Sequence, residues 1–356
     1  MKAKTKLLYI GNVPVGGNAP ISIQSMTNTP TTDIPKTLKQ IQECAVLGCD
    51  LIRVGVPDAA SASAIKKLTA QSPIPIIADI HFDYRLALES IKNGAAAIRI
   101  NPGNIAASDS ENRIRLIAKA AKAAQIPIRV GVNAGSLDAD ILKKYNSPVP
   151  QALVESALRQ CQILEQFSFH DIKVSIKSSS VRDTFEACRL FQKKNINGYP
   201  LHLGVTETGI PEDGIIKSAV GIGALLLSGI GSTIRVSLSA SPQEEVKTAL
   251  KILEACGLRQ PRIEFISCPT CSRTTADVSD FVIKLKQRLK DIQPGTPLKI
   301  AVMGCMVNGP GEAAGADIAI VWSKHKAVIF KQGEPVKTVF QHDAMDTLTS
   351  FILNQN

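Results

Sequence analysis

With 356 residues and a mass of 38.1 kDa, the chain is long enough to bury a large core and to hold more than one domain. A hydrophobic fraction of 44% with one Trp is ordinary for a globular protein, and the apolar segment Val220 to Ile230 is too short and glycine-broken for a membrane span. The 41 basic and 31 acidic residues give a net charge of +10, which suits an anionic partner, yet no Lys/Arg tract or aromatic-interleaved basic run of the nucleic-acid kind is present.

The N-terminus, Met1-Lys2-Ala3-Lys4-Thr5-Lys6, is basic, but no long apolar region with a cleavage site follows it, so a cytoplasmic location is expected. Five of the eight cysteines, Cys44, Cys49, Cys161, Cys188 and Cys256, lie in or beside helix-like segments, where a free thiol acts as a small hydrophobe. A reducing compartment fits them.

In chain order, Leu7–Gly17 reads as a small hairpin, placed to close the bottom of whatever follows. Eight β-branched runs come next: Ile21–Asn28, Leu51–Pro57, Ile74–Phe82, Ala97–Asn104, Ile126–Gly135, Asp171–Ser178, Leu201–Gly209 and Thr233–Ala240. Each ends in a polar, Gly- or Pro-bearing loop and is followed by a helix-like pattern. Eight such units predict an α/β fold, a (β/α)8 TIM barrel spanning residues 1–259, with Pro242–Leu258 as its last helix. A doubly wound sheet is the alternative, but it usually has fewer strands and wants a glycine-rich first turn.

Strand side chains alternate between faces, so residues two apart share one. Arg53 falls with Gly55, Asp79 with His81, Arg99 with Asn101, and Arg129 with Gly131 and Asn133; Lys173, Ser175 and Lys177 form another set, as do His202, Gly204 and Thr206, then Arg235, Ser237 and Ser239. The opposite faces carry Ile52, Val54, Ile98, Ile100, Ile128, Val130, Val132, Val174, Ile176, Leu203, Val205, Ile234, Val236 and Leu238, which suit a helix layer. The polar set is therefore predicted to line the barrel, where Val, Ile and Leu normally sit. Taken singly, His81 and His202 are read as satisfied core histidines, and Asn101 and Asn104 as turn residues. Taken together, six cations face chiefly Asp79 and Glu207, an imbalance that an internal salt-bridge network does not remove. Guanidinium forks and small hydroxyls suit phosphate oxygens, so a phosphate-rich small molecule is expected at the mouth.

A second, smaller α+β unit is predicted over residues 260–356: a strand Ile263–Pro269, a helix Ala276–Leu289, a strand Leu298–Cys305, a small antiparallel sheet from Ala316–Trp322, Ala327–Lys331 and Pro335–Phe340, and a last helix Ala344–Leu353. Two predicted strand ends carry Cys268-Pro269-Thr270-Cys271 and Gly304-Cys305. Three thiols make an incomplete cage for a soft metal centre. An iron–sulfur cluster wants four ligands, whereas zinc would want a fourth Cys or His nearby, and the next His downstream of Cys305 is His325. A redox dithiol would not need Cys305. All three readings stay open at this point.

The strings Ser267-Cys268-Pro269-Thr270-Cys271-Ser272-Arg273 and Gly304-Cys305-Met306-Val307-Asn308-Gly309-Pro310-Gly311-Glu312 resemble the bacterial 4-hydroxy-3-methylbut-2-enyl diphosphate synthases of the non-mevalonate isoprenoid pathway. The barrel agrees through Gln24-Ser25-Met26-Thr27-Asn28-Thr29, Ala78-Asp79-Ile80-His81-Phe82-Asp83-Tyr84-Arg85, Arg99-Ile100-Asn101-Pro102-Gly103-Asn104, Arg129-Val130-Gly131-Val132-Asn133-Ala134-Gly135-Ser136 and His202-Leu203-Gly204-Val205-Thr206-Glu207. The resemblance implies reduction of 2-C-methyl-D-erythritol 2,4-cyclodiphosphate, with ring opening and loss of water, by electrons passed singly through a [4Fe-4S] cluster. It implies Cys268, Cys271 and Cys305 as ligands of three irons and Glu312 as the displaceable ligand of the fourth. It places the diphosphate on Arg53, Arg99, Arg129, Lys173 or Lys177, and Arg235, with Asn133, Ser175 and Ser237 adding hydrogen bonds; Asn101 and His202 complete the expected binding set. Glu207 is the expected proton donor, with Asp79 and His81 orienting substrate or relaying protons. The resemblance further implies a sulfite-reductase/ferredoxin-like cluster unit, flavodoxin or ferredoxin as electron donor, and a homodimer in which the cluster unit of one subunit caps the barrel of the other.

Two rivals come from other classes. One is a non-redox phosphate-handling barrel enzyme with a structural zinc module. The other is a nucleic-acid-binding protein with a zinc ribbon.

Overall fold

Apolar residues at every second strand position and at helical spacing in the intervening segments set up alternating strands and helices through the first part of the chain. The computed structural model describes residues 3–101, 110–269, 271–292 and 295–353, and the chain forms two compact units, Met1–Arg259 and Gln260–Asn356.

In the first unit an antiparallel hairpin, β1 (Leu7–Ile10) and β2 (Val13–Gly16), precedes β3 (Ser22–Met26), α1 (Ile34–Val46), β4 (Leu51–Gly55), α2 (Ala59–Gln71), β5 (Ile76–Asp79), α3 (Tyr84–Lys92) and β6 (Ala97–Ile100). There follow α4 (Ser110–Ala123), β7 (Ile128–Asn133), α5 (Ala139–Tyr145), α6 (Pro150–Glu165), β8 (Ile172–Lys177), α7 (Val181–Lys194), β9 (His202–Leu203), α8 (Pro211–Leu227), β10 (Thr233–Ile234) and α9 (Pro242–Ala255). The eight strands β3 to β10 form one parallel sheet in the order β8-β7-β6-β5-β4-β3-β10-β9, and a bridge between Val174 and Leu201 joins its two edges. This is the expected barrel.

Helices cover the sheet through one apolar stripe each. In α1 the buried positions are Thr37, Leu38, Ile41 and Cys44, a single helical face. Leu38, Ile41 and Cys44 join Ile52, Val54, Ile98, Ile100, Val130, Val174 and Ile176 in one core between strands and helices, as the parity predicts. The hairpin sends Ile10 and Val15 against Leu51, Ile77 and Ala97, the lowest inward positions of three strands. It closes the barrel bottom.

The seventh and eighth barrel strands pair over only two residues each, well short of the predicted 201–209 and 233–240. Beyond them, backbone groups find other partners. The Leu238 N–H donates to Glu245 Oε1 at 3.1 Å, the Ser237 carbonyl accepts from Thr208 Oγ1, and Ser239 N–H donates to the Gly209 carbonyl at 2.9 Å. Glu207 and Gly209, at φ of 50° and 92°, turn the chain away from the ladder.

The second unit runs β11 (Ile263–Ser267), α10 (Val278–Arg288), β12 (Leu298–Met303), α11 (Gly309–Ala314), β13 (Ile318–Ser323), β14 (Lys326–Lys331), β15 (Glu334–Phe340) and α12 (Ala344–Leu353). The expected small antiparallel sheet is instead part of one five-stranded mixed sheet in sequential order, β11 to β13 parallel and β13 to β15 antiparallel. The helical crossovers α10 and α11 impose parallel pairing on the first three strands, and tight turns impose the antiparallel remainder. One face packs Ile300, Val302, Ile318, Ile320 and Trp322 on α10 and α12; the other packs Ala301, Met303, Ala319 and Val321 on Ala313 of α11.

Candidate functional site

The barrel interior above its apolar floor is polar. Register places Arg53 beside Met26, Asp79 beside Arg99, Arg99 beside Arg129, Arg129 beside Lys173 and Asn133 beside Lys177, so one inward ring joins strands β3 to β8. Asp79, Arg99, Asn101, Arg129, Lys173, Ser175, Lys177 and His202 are buried, while Arg53, Asn133, Arg235 and Ser237 are half-buried. Two glycines make room for this ring. A Cβ on Gly131 would lie 2.6 Å from Arg99 Nε, and one on Gly204 would lie 2.6 Å from Lys177 Nζ.

Asp79 anchors one side. Arg99 Nη1 reaches its Oδ1 at 3.2 Å, and Arg53 Nε and His81 Nε2 lie 3.6 and 3.7 Å from its Oδ2. Burial alone would raise the Asp79 pKa, but Arg53, His81 and Arg99 outweigh it and hold the carboxyl far below the usual range. Asp79 is a permanent anion. His81 is exposed on the loop after β5, within 3.1 Å of Arg99 Nη1 through Nε2.

Glu207, predicted as the second interior acid, is exposed on the loop after β9 and enters no ion pair among the described residues. Its place is taken by Glu245 of α9, which receives Arg235 Nε at 3.1 Å and Nη2 at 3.2 Å. Strand parity carries no signal for Glu245 because it belongs to a helix. Only the acidic first turn after Ser241-Pro242 marks it in the sequence.

Six basic side chains thus meet two buried carboxylates. The consequence falls on Arg129, Lys173 and Lys177. Arg129 Nε and Nη1 and Lys173 Nζ are buried without a hydrogen-bond partner among the described residues. Burial, reinforced by the neighbouring guanidinium groups, pushes the pKa values of all three well below their ordinary values, and that of Arg53 to about 10. His202 is likewise held neutral, chiefly by burial, with Nδ1 2.8 Å from Thr233 Oγ1. Buried donors of this kind suit an anion. Asn104 and Thr270, named in the motifs above, lie outside the described residues.

In the second unit, Ser267 of β11 pairs with Val302 of β12, so Cys268 and Gly304-Cys305 leave the same end of two adjacent parallel strands. Gly304 N–H donates to Cys268 Sγ at 3.1 Å, and a Cβ on Gly304 would lie 2.7 Å from Thr274 Cγ2. Cys271 is exposed, and the Arg273 backbone N–H with the Thr274 hydroxyl lowers its thiol pKa. Glu312 is exposed on α11, the short helix after Cys305. Among the described residues no three His, Cys, Asp or Glu side chains converge closely enough to hold a single metal ion. A cube of iron and sulfide spreads its ligands over separate irons, so thiolates along one sheet end, solvated by N–H donors, fit it chemically.

The fold and the site define a two-unit α/β protein: a (β/α)8 barrel with an interior rich in basic side chains, followed by a cysteine-bearing unit built on a mixed sheet. Residues 5–250 match the GcpE TIM-barrel domain and residues 264–354 the GcpE protein C-terminal domain. The chain belongs to the GcpE family. A relative from Clostridium perfringens is 50% identical over 351 residues, covering 99% of both chains. Another from Caldanaerobacter subterraneus is 51% identical over 348 residues, covering 98% of this chain and 96% of its own. Both are named 4-hydroxy-3-methylbut-2-en-1-yl diphosphate synthase (flavodoxin). In fold alone the barrel is similar to dihydropteroate synthases from Yersinia pestis and Stenotrophomonas maltophilia, at 12% and 13% identity and a TM-score of 0.50 each, covering 70% of this chain and 98% and 99% of theirs. Among the described residues no helix is long and apolar enough to cross a membrane.

Proposed function

We propose that this chain reduces 2-C-methyl-D-erythritol 2,4-cyclodiphosphate to (E)-4-hydroxy-3-methylbut-2-enyl diphosphate in isoprenoid biosynthesis. Two electrons and two protons enter, the cyclic diphosphate opens at carbon, and one hydroxyl leaves as water. The observation that carries this reading is the cationic interior in a chain whose full-length relatives are named for making that diphosphate. The same relatives leave the zinc-module alternative without support.

Arg129, Lys173 and Lys177 receive the diphosphate charge, and Arg53, Arg99 and Arg235 add directed N–H donors. Asn101, Asn133, Ser175, His202 and Ser237 contribute hydrogen bonds around the same ring. Asp79, fixed as an anion, serves to aim Arg53 and Arg99 rather than to deliver a proton. His81 orients substrate beside Arg99, and Glu207, exposed at the mouth, is the proton donor.

Cys268, Cys271 and Cys305 would hold a [4Fe-4S] cluster, with Glu312 as its fourth and most displaceable ligand, a carboxylate being a harder donor than thiolate. When bound, the cluster supplies electrons one at a time. Flavodoxin, which the relatives' names include, is the proposed donor, with ferredoxin as the other candidate. A homodimer in which the cluster unit of one copy caps the barrel of the other brings both chemistries to one substrate.

Metal and sulfide analysis of anaerobically purified protein tests the reading: about four irons and four sulfides per chain are expected, and one zinc without sulfide overturns it. Glu312→Ala should retain the iron but lose turnover; full activity in that variant removes Glu312 from its role as the displaceable ligand.

A further inference from the structure

Glu245 is buried at 4% exposure on the first turn of α9. Its Oε2 accepts from Ser25 Oγ at 2.9 Å and from Arg235 Nε at 3.1 Å, and its Oε1 from Arg235 Nη2 at 3.2 Å and the Leu238 N–H at 3.1 Å. This two-pronged contact occupies one edge of the Arg235 guanidinium and leaves the Nη1 corner free of any carboxylate among the described residues. That corner lies 3.6 Å from Met26 Sδ. The same sulfur lies 3.2 and 3.0 Å from Arg53 Nε and Nη2. Two like-charged groups therefore flank one thioether, which is a weak acceptor and takes no charge from either. One is anchored from behind by Glu245, the other by Asp79 at 3.6 Å.

A long side chain left free in a cavity must be ordered when an anion arrives, and that ordering weakens binding. Here the ordering is done in advance. We propose that Glu245 is a positioning residue which, from the first turn of α9, aims the free corner of Arg235 into the barrel at the substrate's diphosphate. This rests on the proposed reading of Arg235 as a diphosphate ligand. Ser25, on the outward face of β3, fixes the carboxylate in turn.

Bulk electrostatics and positioning predict opposite signs, which makes the test sharp. Removing an acid from a cation-rich cavity should tighten anion binding if charge alone matters. If Glu245 positions Arg235, its loss weakens binding. Inorganic pyrophosphate affinity, and KM and kcat for the cyclodiphosphate, are measured on the iron-loaded holoenzyme for Glu245→Gln, Arg235→Met, the double variant and Ser25→Ala.

Glu245→Gln is expected to weaken pyrophosphate binding and raise KM roughly tenfold or more, the loss typical of a charge-assisted hydrogen bond, with a smaller change in kcat. The double variant should be no worse than Arg235→Met alone, since both act through one guanidinium. Ser25→Ala, which removes one hydroxyl and spares the fold, should raise KM by about two- to fivefold as a single neutral hydrogen bond does. Unchanged or tighter pyrophosphate binding in both Glu245→Gln and Ser25→Ala, beside a clear loss in Arg235→Met, overturns the proposal. If Glu245→Gln does not fold, Ser25→Ala decides on its own. If Arg235→Met itself binds pyrophosphate normally, the reading of Arg235 as a diphosphate ligand fails instead.

Discussion

Lys173 and Arg129 sit side by side in the barrel wall with buried donors facing no acceptor among the described residues. The Arg129 guanidinium keeps its charge in spite of burial, whereas burial favours the neutral amine of Lys173 and lowers its pKa. A bound diphosphate raises that value again, so binding takes a proton up from solvent. Affinity should then fall as pH climbs above the free-protein value, because the free protein no longer holds the proton the complex needs. Calorimetric titration of pyrophosphate in two buffers of different ionisation heat should show net uptake; no buffer dependence contradicts it. Stability follows the same sign. Lys173 has a folded pKa below its unfolded one, so the folded state holds fewer protons between the two values and loses stability as pH drops through that window. Replacing Arg129 by Met should weaken pyrophosphate binding roughly 10- to 100-fold, as expected for losing charge-assisted hydrogen bonds, and unchanged affinity would argue against a phosphate role for the barrel interior.

At the scale of elements, β7 and the segment directly after β9 owe their inward openings to the absence of a Cβ. Alanine at Gly131 puts a methyl 2.6 Å from Arg99 Nε, and Arg99 must shift from its 3.2 Å contact with Asp79. Overpacking of this kind costs about 1–3 kcal/mol. Gly131→Ala should lower the melting temperature by several degrees and weaken pyrophosphate binding about tenfold, a 1.4 kcal/mol loss, while circular dichroism stays unchanged. A variant with wild-type affinity would show that the guanidinium has room to spare. The short β9 and β10 belong to the same scale. Their sequences carry the alternation of longer strands, yet Glu245 and Thr208 supply the hydrogen bonds that a ladder would have made.

For the whole molecule, a net charge of +10 is larger than the barrel interior alone explains, so a basic exterior remains. Acidic electron carriers would be steered by it. The rate of reduction by flavodoxin should fall steeply with added salt, about tenfold or more between low and high ionic strength. Reduction by a small uncharged chemical donor should not. Equal salt dependence of the two rates would remove charge steering from the account.

Strand and helix alternation, the inward parity of Arg53, Asp79, Arg99, Arg129, Lys173, Lys177 and Arg235, and the three cysteines at predicted strand ends all follow from local pattern. Periodicity and short motifs are properties of neighbouring residues, so the sequence carries them by itself. The Ser25–Glu245 contact, 220 residues apart, is of another kind. It exists because the sheet closes and brings α9 beside β3, which no local period encodes. Closure likewise decided which acid faces Arg235 and how early β9 and β10 stop pairing; in the second unit, strand pairing at a distance decided that β11 to β15 share one sheet. Those outcomes depend on which backbone and side-chain donors compete for the same acceptor in space, and only the tertiary structure settles that competition.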